Sequence, residues 1–221
     1  MVIMVHLSIA IILTLAAFVT AILYLRGEVT QARPLFRPLT SLLILVVALM
    51  APMPIAIFYK AAVVLALSLT LLRNALELLP TPPALALANN LLVALLYMTA
   101  FASQHPLKWP TPWALLPLLG AGLVYWLIRP RLAELHSSLI AYSIGLYLMS
   151  WQALEMLVTQ PAPWAMIAAV GALAFVSADV LLGLDHFYRP VSVRKFLYPT
   201  LTLLAQLLLA LSIWGPMLQT F

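Results

Sequence analysis

The chain has 221 residues and a formal net charge of +5, and 65% of its residues are hydrophobic while only 8% are charged. A soluble domain has roughly 45–50% apolar and about 25% charged residues, so this composition excludes a water-soluble globular protein. The positive charge does not indicate nucleic-acid binding, because the basic residues lie singly near the ends of apolar runs and form no stripe with interleaved aromatic residues.

Eight continuous apolar runs of sixteen to twenty-four residues follow one another along the chain. Runs of this length predict membrane-spanning helices, because a transmembrane strand would need an alternating segment of only about ten residues. The predicted helices are Val2 to Leu25, Leu39 to Pro54, Tyr59 to Leu79, Ala84 to Ser103, Thr111 to Ile128, Ser137 to Val158, Trp164 to Leu184 and Phe196 to Met217. Prolines mark the interruptions, as Pro34 and Pro38 do before the second run. The sequence therefore predicts one all-α transmembrane domain over residues 1–221.

The second run is the shortest of the eight, with sixteen residues where a bilayer-spanning helix has about 20. The distribution of basic residues favours counting this run as a spanning helix. With eight helices, eight basic residues fall in the connections after helices 1, 3, 5 and 7, and only Lys60 and Lys108 fall on the other side. The eight are Arg26, Arg33, Arg37, Arg129, Arg131, Arg189, Arg194 and Lys195. By the positive-inside rule we expect eight spanning helices with both termini outside the cytoplasm, and these cations as orientation signals and partners of lipid head groups.

Polar residues inside the apolar runs are few, and each is a candidate functional group because polar atoms are costly to bury in hydrocarbon. Five of the predicted helices place such residues in the cytoplasmic leaflet. Thr70, Asn74 and Glu77 share one face of the third helix at helical spacing. We expect a polar cavity there, open toward the cytoplasmic head groups, and lined by Asn74, Asn90, Tyr142, Asp179 and Gln206.

Some of these polar residues also have purely structural interpretations. Arg73 and Glu77 have the spacing of an i,i+4 ion pair at a helix end. Hydroxyl groups such as that of Tyr198 often bond only to a neighbouring helix or to the backbone, and Glu155, at the far end of the sixth helix, is predicted to be solvated. Asp179 differs, because its neighbours are bulky and apolar and no basic residue lies one turn away. For it we favour ligand binding or proton transfer.

The sequence predicts no metal site and no cofactor. It has no cysteine, and its four histidines lie in separate segments without the i,i+4 spacing of a helical zinc motif. It also has no P-loop, dinucleotide fingerprint or nucleophile elbow. Any catalysis must therefore come from carboxyl, amide and hydroxyl groups.

The segment from Gly171 to Phe187, GALAFVSADVLLGLDHF, resembles the signature of the YhhN family of lysoplasmalogenase-like membrane proteins. Further matches follow in chain order: RPLTSLLIL from Arg37, SLTLLRNALELLP from Ser68, LLYMTAF from Leu95, AYSIGLYLM from Ala141 and LLAQLLLALS from Leu203. The resemblance covers nearly the whole chain and also implies eight helices. It implies an enzyme, which we expect in a bacterial inner membrane, that cleaves the vinyl ether bond of lysoplasmalogens to a fatty aldehyde and a glycerophospho-alcohol.

The resemblance also implies roles for particular residues. Asp179 matches the family's second intramembrane aspartate, whereas the first belongs in a Gly-Asp step that aligns with Arg73 and Asn74. A buried carboxyl group in an apolar site is a suitable proton donor to the alkene carbon, so Asp179 is the predicted general acid. Asn74 is then predicted to orient the water, and Glu77 is a candidate for the missing carboxylate.

The predicted substrate-binding residues are Arg73, Asn90, Tyr142, Ser177 and Gln206. Arg73 would hold either Glu77 or the phosphate of a single-chain phospholipid. The alternative interpretation is a non-catalytic lipid-binding or transport protein with the same fold. In the enzyme Glu77 would face Asp179. In the lipid-binding protein Glu77 would face Arg73 and water. The sequence predicts no oligomeric state.

Overall fold

The structure is a computed structural model that describes residues 2–26, 33–51, 56–76, 82–105, 111–112, 115–128, 136–187 and 194–215. Within these ranges the regular structure is entirely helical. The eight helices are α1 (Val2–Arg26), α2 (Arg33–Met50), α3 (Ile57–Leu76), α4 (Pro83–Ala102), α5 (Leu115–Ile128), α6 (His136–Thr159), α7 (Pro163–Phe187) and α8 (Arg194–Ser212). Each apolar run corresponds to one helix, so the all-α class is confirmed.

The start of α2 differs from the prediction. The helix begins at Arg33 rather than at Leu39, and Pro38 lies inside it rather than in the connection before it. Pro38 falls in the second turn, where its missing N–H removes one hydrogen bond close to the end of the helix. The role of Pro38 as a helix boundary was therefore predicted wrongly. The added turns lengthen α2 to 18 residues and include Arg37 in the helix.

Three helical segments in the described part of the chain are long and apolar enough to cross a membrane. They are Ile57–Leu76, Leu85–Ala102 and Pro163–Asp185. Shorter apolar segments occur in α1, α2 and α8. Large apolar side chains such as those of Ile12, Leu119 and Trp126 are exposed on the outside of the bundle. Exposed apolar surface of this extent is typical of contact with lipid.

Small residues allow the helices that carry the polar groups to pack closely. A Cβ atom added at Gly171 of α7 would lie 3.1 Å from the Cβ of Leu208 on α8. A Cβ atom at Gly145 of α6 would lie 2.7 Å from Leu91 on α4. In membranes small side chains let helix backbones approach in this way. The close packing brings α7 against α8 and α6 against α4.

Aromatic side chains fill the interior beyond the polar groups. Tyr97 packs edge-on against Phe175 of α7, with ring centroids 6.0 Å apart, and stacks on Phe101. Tyr59 contacts both Phe101 and Trp164. These rings pack the bundle interior with defined geometry, because aromatic pairs bury large areas in preferred arrangements.

Glu155 is buried, not solvated as the sequence suggested. Its side chain is only 3% exposed, and its Oε2 atom accepts a hydrogen bond of 2.8 Å from the hydroxyl of Thr111. Thr111 lies 44 positions earlier in the chain. The prediction was wrong because residues from another segment cover this end of α6.

Candidate functional site

Asp179 of α7 forms a hydrogen-bonded pair with Tyr142 of α6. The Tyr142 hydroxyl donates to the Oδ2 atom of Asp179, and the Tyr142 side chain is only 6% exposed. A hydrogen bond from a buried phenol fixes the orientation of the carboxyl group. The pair therefore holds Asp179 at a defined position between α6 and α7.

A cavity of about 10 Å³ lies beside Asp179. This volume corresponds to about one water molecule. Its lining comes from α3, α4, α7 and α8 and consists of Thr70, Arg73, Asn74, Asn90, Val93, Phe175, Ala178, Asp179 and Thr202. The cavity is small and six of its nine lining residues carry polar side chains, so it can hold a single ordered water.

Asn74 lines this cavity. Its side chain is 2% exposed, and its Nδ2 atom donates a hydrogen bond of 2.7 Å to the Oγ atom of Ser41. The Oδ1 atom is buried and has no hydrogen-bond partner in the described part of the chain. A buried carbonyl oxygen of this kind needs a donor, which a water molecule in the cavity can supply.

Arg73 connects the cavity to a network of side chains from other helices. Its Nη1 atom donates to the Oδ1 atom of Asn90 at 2.6 Å, and its Nη2 atom donates to the hydroxyl of Tyr198 at 3.0 Å. The Arg37 guanidinium also donates to the Tyr198 hydroxyl, at 3.4 Å. The positive charges of both arginines act on the carboxylate of Asp179.

An apolar groove of about 310 Å³ reaches Asp179 and Tyr142 from another direction. It lies between α5, α6 and α7. Its lining is Pro117, Gly120, Ala121, Leu123, Leu139, Tyr142, Ser143, Leu146, Tyr147, Ser150, Leu173, Val176, Asp179, Val180 and Gly183. From Leu139 to Ser150 the groove follows α6 for roughly 17 Å, at 1.5 Å per residue. Asp179 lines both the groove and the small polar cavity.

The structure brings together most of the residues proposed from the sequence. Arg73, Asn74, Asn90 and Asp179 line the same cavity, and Tyr142 contacts it through its bond to Asp179. Glu77, with its predicted pairing to Arg73, lies outside the described residues.

Besides Tyr142, which bonds to Asp179 without lining the cavity, two further proposed residues are not part of its lining. Ser177 is exposed, and its hydroxyl donates to the backbone oxygen of Leu173 on its own helix. Two positions along a helix correspond to a rotation of about 200°, so Ser177 and Asp179 face opposite sides. Gln206 is 1% exposed and lies one turn beyond Thr202 on α8, and neither polar atom of its amide has a partner among the described residues.

Arg37, Ser41 and Tyr198 belong to the network but were not among the predicted site residues. Arg37 was interpreted as a basic residue at a helix end, yet its side chain is only 8% exposed and bonds to Tyr198. Ser41 supports Asn74. Arg37 and Ser41 are four positions apart and so share a helix face. This spacing was missed because the second helix was predicted to begin at Leu39, after Arg37.

The described residues contain no group of three or more histidine, cysteine, aspartate or glutamate side chains that could hold a metal ion. The chemical groups available at the cavity are one carboxyl group, two amides, a guanidinium group and two threonine hydroxyls. With Tyr142 these groups can bind water, transfer a proton and bind an anion.

The family model described as the YhhN family matches residues 32–213 of the chain. A relative named uncharacterized membrane protein YhhN, from Escherichia coli O157:H7, is 42% identical over 169 residues, which are 74% of this chain and 78% of the relative. The protein named lysoplasmalogenase TMEM86A from Bos taurus is 32% identical over 126 residues, or 53% of this chain and 50% of that protein. The protein of the same name from Homo sapiens is 33% identical over 124 residues, which are 52% of this chain and 49% of that protein. No solved structure matches the chain.

Proposed function

The chain belongs to the YhhN family of membrane proteins, and from this premise we propose that it hydrolyses the vinyl ether bond of lysoplasmalogen-type single-chain phospholipids. The products are a fatty aldehyde and a glycerophospho-alcohol. The names of the two lysoplasmalogenase relatives support this activity over about half of the chain.

One observation carries the proposal: Asp179 lies where the polar cavity meets the apolar groove. In a lysoplasmalogen the vinyl ether joins the polar glycerophosphate to the apolar chain. A lipid with its chain in the groove and its head group on the polar side would place that bond beside Asp179. Proximity of this kind is a large part of what an active site contributes.

The reaction needs a proton, a water molecule and a base in turn. The carboxyl group of Asp179 donates its proton to the alkene carbon remote from the ether oxygen, which leaves an oxocarbenium ion and a carboxylate. The positive charges of Arg73 and Arg37 stabilise the negative charge that develops on this carboxylate. Asn74 orients the water through its Oδ1 atom.

The second half of the reaction returns the proton. The water oxygen bonds to the carbon beside the ether oxygen, and the water proton passes to the carboxylate of Asp179. The resulting hemiacetal breaks its bond to the glycerol oxygen and yields the aldehyde and the alcohol. One carboxyl group can thus act as acid and then as base, and Glu77 remains the candidate for a second carboxylate.

A second candidate function is lipid binding or transport without catalysis. The observation that favours it is Asn74, an amide at the position that the family resemblance assigns to an aspartate. Among the described residues Asp179 is then the one carboxyl group at the cavity. A protein of this kind would bind the same lipid and leave its vinyl ether intact.

The direct test compares two lipids on the purified protein. We expect aldehyde release from a lysoplasmalogen, and no cleavage of an ester lysophospholipid with the same head group and chain length. Binding of the lysoplasmalogen without aldehyde release would instead support the lipid-binding alternative.

We further propose eight membrane-spanning helices in a bacterial inner membrane, with both termini outside the cytoplasm. The uneven distribution of basic residues supports this topology. Because the chain has no cysteine, the single variants Lys108→Cys and Arg131→Cys carry one thiol each. A membrane-impermeant maleimide added to intact cells should label position 108 and not position 131. The opposite pattern would reverse the orientation, and labelling of both would contradict the helix count.

The groove also predicts a preference for chain length. Gly120 lines the groove, and a Cβ atom built on it would meet no other atom within 4 Å. Gly120→Leu should therefore fit the fold and occupy part of the groove. We expect the ratio of kcat/KM for a long-chain over a short-chain lysoplasmalogen to fall about 10-fold or more, the scale of small changes in an apolar pocket.

Gly122→Leu is the matched control. Gly122 is on the same helix and also has open space around its Cβ position, but it does not line this groove. The control should keep the chain-length ratio of the native protein. An equal change in both variants would mean that α5 affects activity without binding the chain.

A further inference from the structure

We propose that Arg37, Arg73 and Tyr198 form the binding site for the phosphate group of the lipid head group. The inference rests on the proposed function for the identity of the lipid, but its test measures binding and does not require cleavage. The three residues come from α2, α3 and α8, and Arg73 also lines the cavity beside Asp179.

Two guanidinium groups from different helices meet at one phenol oxygen. Arg73 of α3 donates to the Tyr198 hydroxyl at 3.0 Å, and Arg37 of α2 donates to it at 3.4 Å. Arg37 also lies over the Tyr198 ring, with its Cζ atom 5.3 Å from the ring centroid. Cation–π contact and a shared acceptor together position both arginine side chains.

The cluster carries positive charge in a largely buried place. Arg37 is 8% exposed, and Asp179 is a carboxyl group on which both arginines act. With Asp179 protonated, as the proposed general acid requires, the two arginines together carry a charge of +2. A phosphodiester carries one negative charge and so complements the cluster. Arginine is suited to phosphate because its planar guanidinium donates two parallel hydrogen bonds to two oxygens.

The cluster adjoins the cavity beside Asp179. Arg73 lines the same small cavity as Asp179, and the apolar groove meets Asp179 from another direction. A lipid with its phosphate at the arginines and its chain in the groove would have its glycerol and vinyl ether between the two, on the side of Asp179. The same contacts would then orient the lipid with its ether carbon atoms toward Asp179.

The test measures affinity for two non-cleavable lipids by isothermal titration calorimetry in detergent. One is an alkyl ether lysophospholipid, and the other is the alkylglycerol of the same chain length, which lacks the phosphate. We expect the native protein to bind the phospholipid at least about 10-fold more tightly, the scale of charge-assisted hydrogen bonds. Arg37→Gln should lower this preference toward one while leaving alkylglycerol affinity nearly unchanged.

Two further variants separate recognition from folding. Arg37→Lys keeps the charge and should keep part of the preference. Lys60→Gln removes one positive charge from the other end of α3, where Lys60 bonds to the carbonyl oxygen of Leu49. This variant should keep the full preference for the phospholipid over the alkylglycerol. An equal loss of affinity for both lipids in Arg37→Gln, or no loss for either, would overturn the proposal.

Competition distinguishes a lipid head group from a free phosphate ion. Inorganic phosphate and glycerophosphate are added to the native protein before the phospholipid. Unchanged phospholipid affinity supports a site that takes phosphate as part of the lipid, as proposed. Full displacement by inorganic phosphate would overturn the assignment to the head group. Because these arms need no turnover, a protein that binds but releases no aldehyde would refute the proposed activity without refuting the phosphate site.

Discussion

Asp179→Asn is expected to abolish aldehyde release from a lysoplasmalogen, with a fall in kcat of at least about 100-fold, the lower end of what a general acid contributes. The amide has nearly the same shape and its oxygen can still accept the hydrogen bond from Tyr142. It cannot, however, donate a proton to carbon. Binding of a non-cleavable ether lysolipid should therefore change little.

Ser177→Ala is the matched control for this variant. Ser177 is on the same helix, but its hydroxyl bonds to Leu173 and faces away from the cavity. We expect it to keep the native rate. A near-native rate in Asp179→Asn would refute the proposed acid, and a large loss in Ser177→Ala would refute the placement of the reaction at this cavity.

Asn74→Asp is expected to preserve the rate of aldehyde release or to raise it, by up to about 100-fold if the new carboxylate acts as an efficient general base. Asn74 lines the cavity, its Nδ2 atom is bonded to Ser41, and its Oδ1 atom has no partner among the described residues. Aspartate at this position can accept a hydrogen bond from the Ser41 hydroxyl and present its other oxygen to the water. The measurement is the initial rate of aldehyde release at saturating lipid.

Asn74→Leu provides the contrast, since it removes both polar atoms and keeps a side chain of similar size. We expect its rate to fall at least about 10-fold, since the water then has no oxygen to orient it. If the native protein is inactive and Asn74→Asp releases aldehyde, the chain is a binding protein on an enzyme fold. If neither is active although lysolipid binds, the lipid-binding alternative is correct.

The helices themselves could be predicted from the sequence. An apolar run in a membrane must pair all its backbone groups internally, so each run became one helix. The presence of Asp179 in an apolar segment, and the helical spacing of Asn74 and Asn90, were also sufficient to nominate them for one cavity. These inferences depend on composition and on the 3.6-residue repeat, which are local properties.

The contacts that complete the site depend on tertiary structure. Arg37 and Tyr198 are 161 positions apart, and a helical repeat identifies a face of each helix without specifying which other helix that face meets. The rotation and depth of each helix are set by packing, for example where Gly171 lets α7 approach α8. For the same reason only the folded bundle shows the groove between α5, α6 and α7 reaching Asp179, and shows Ser177 turned away from it.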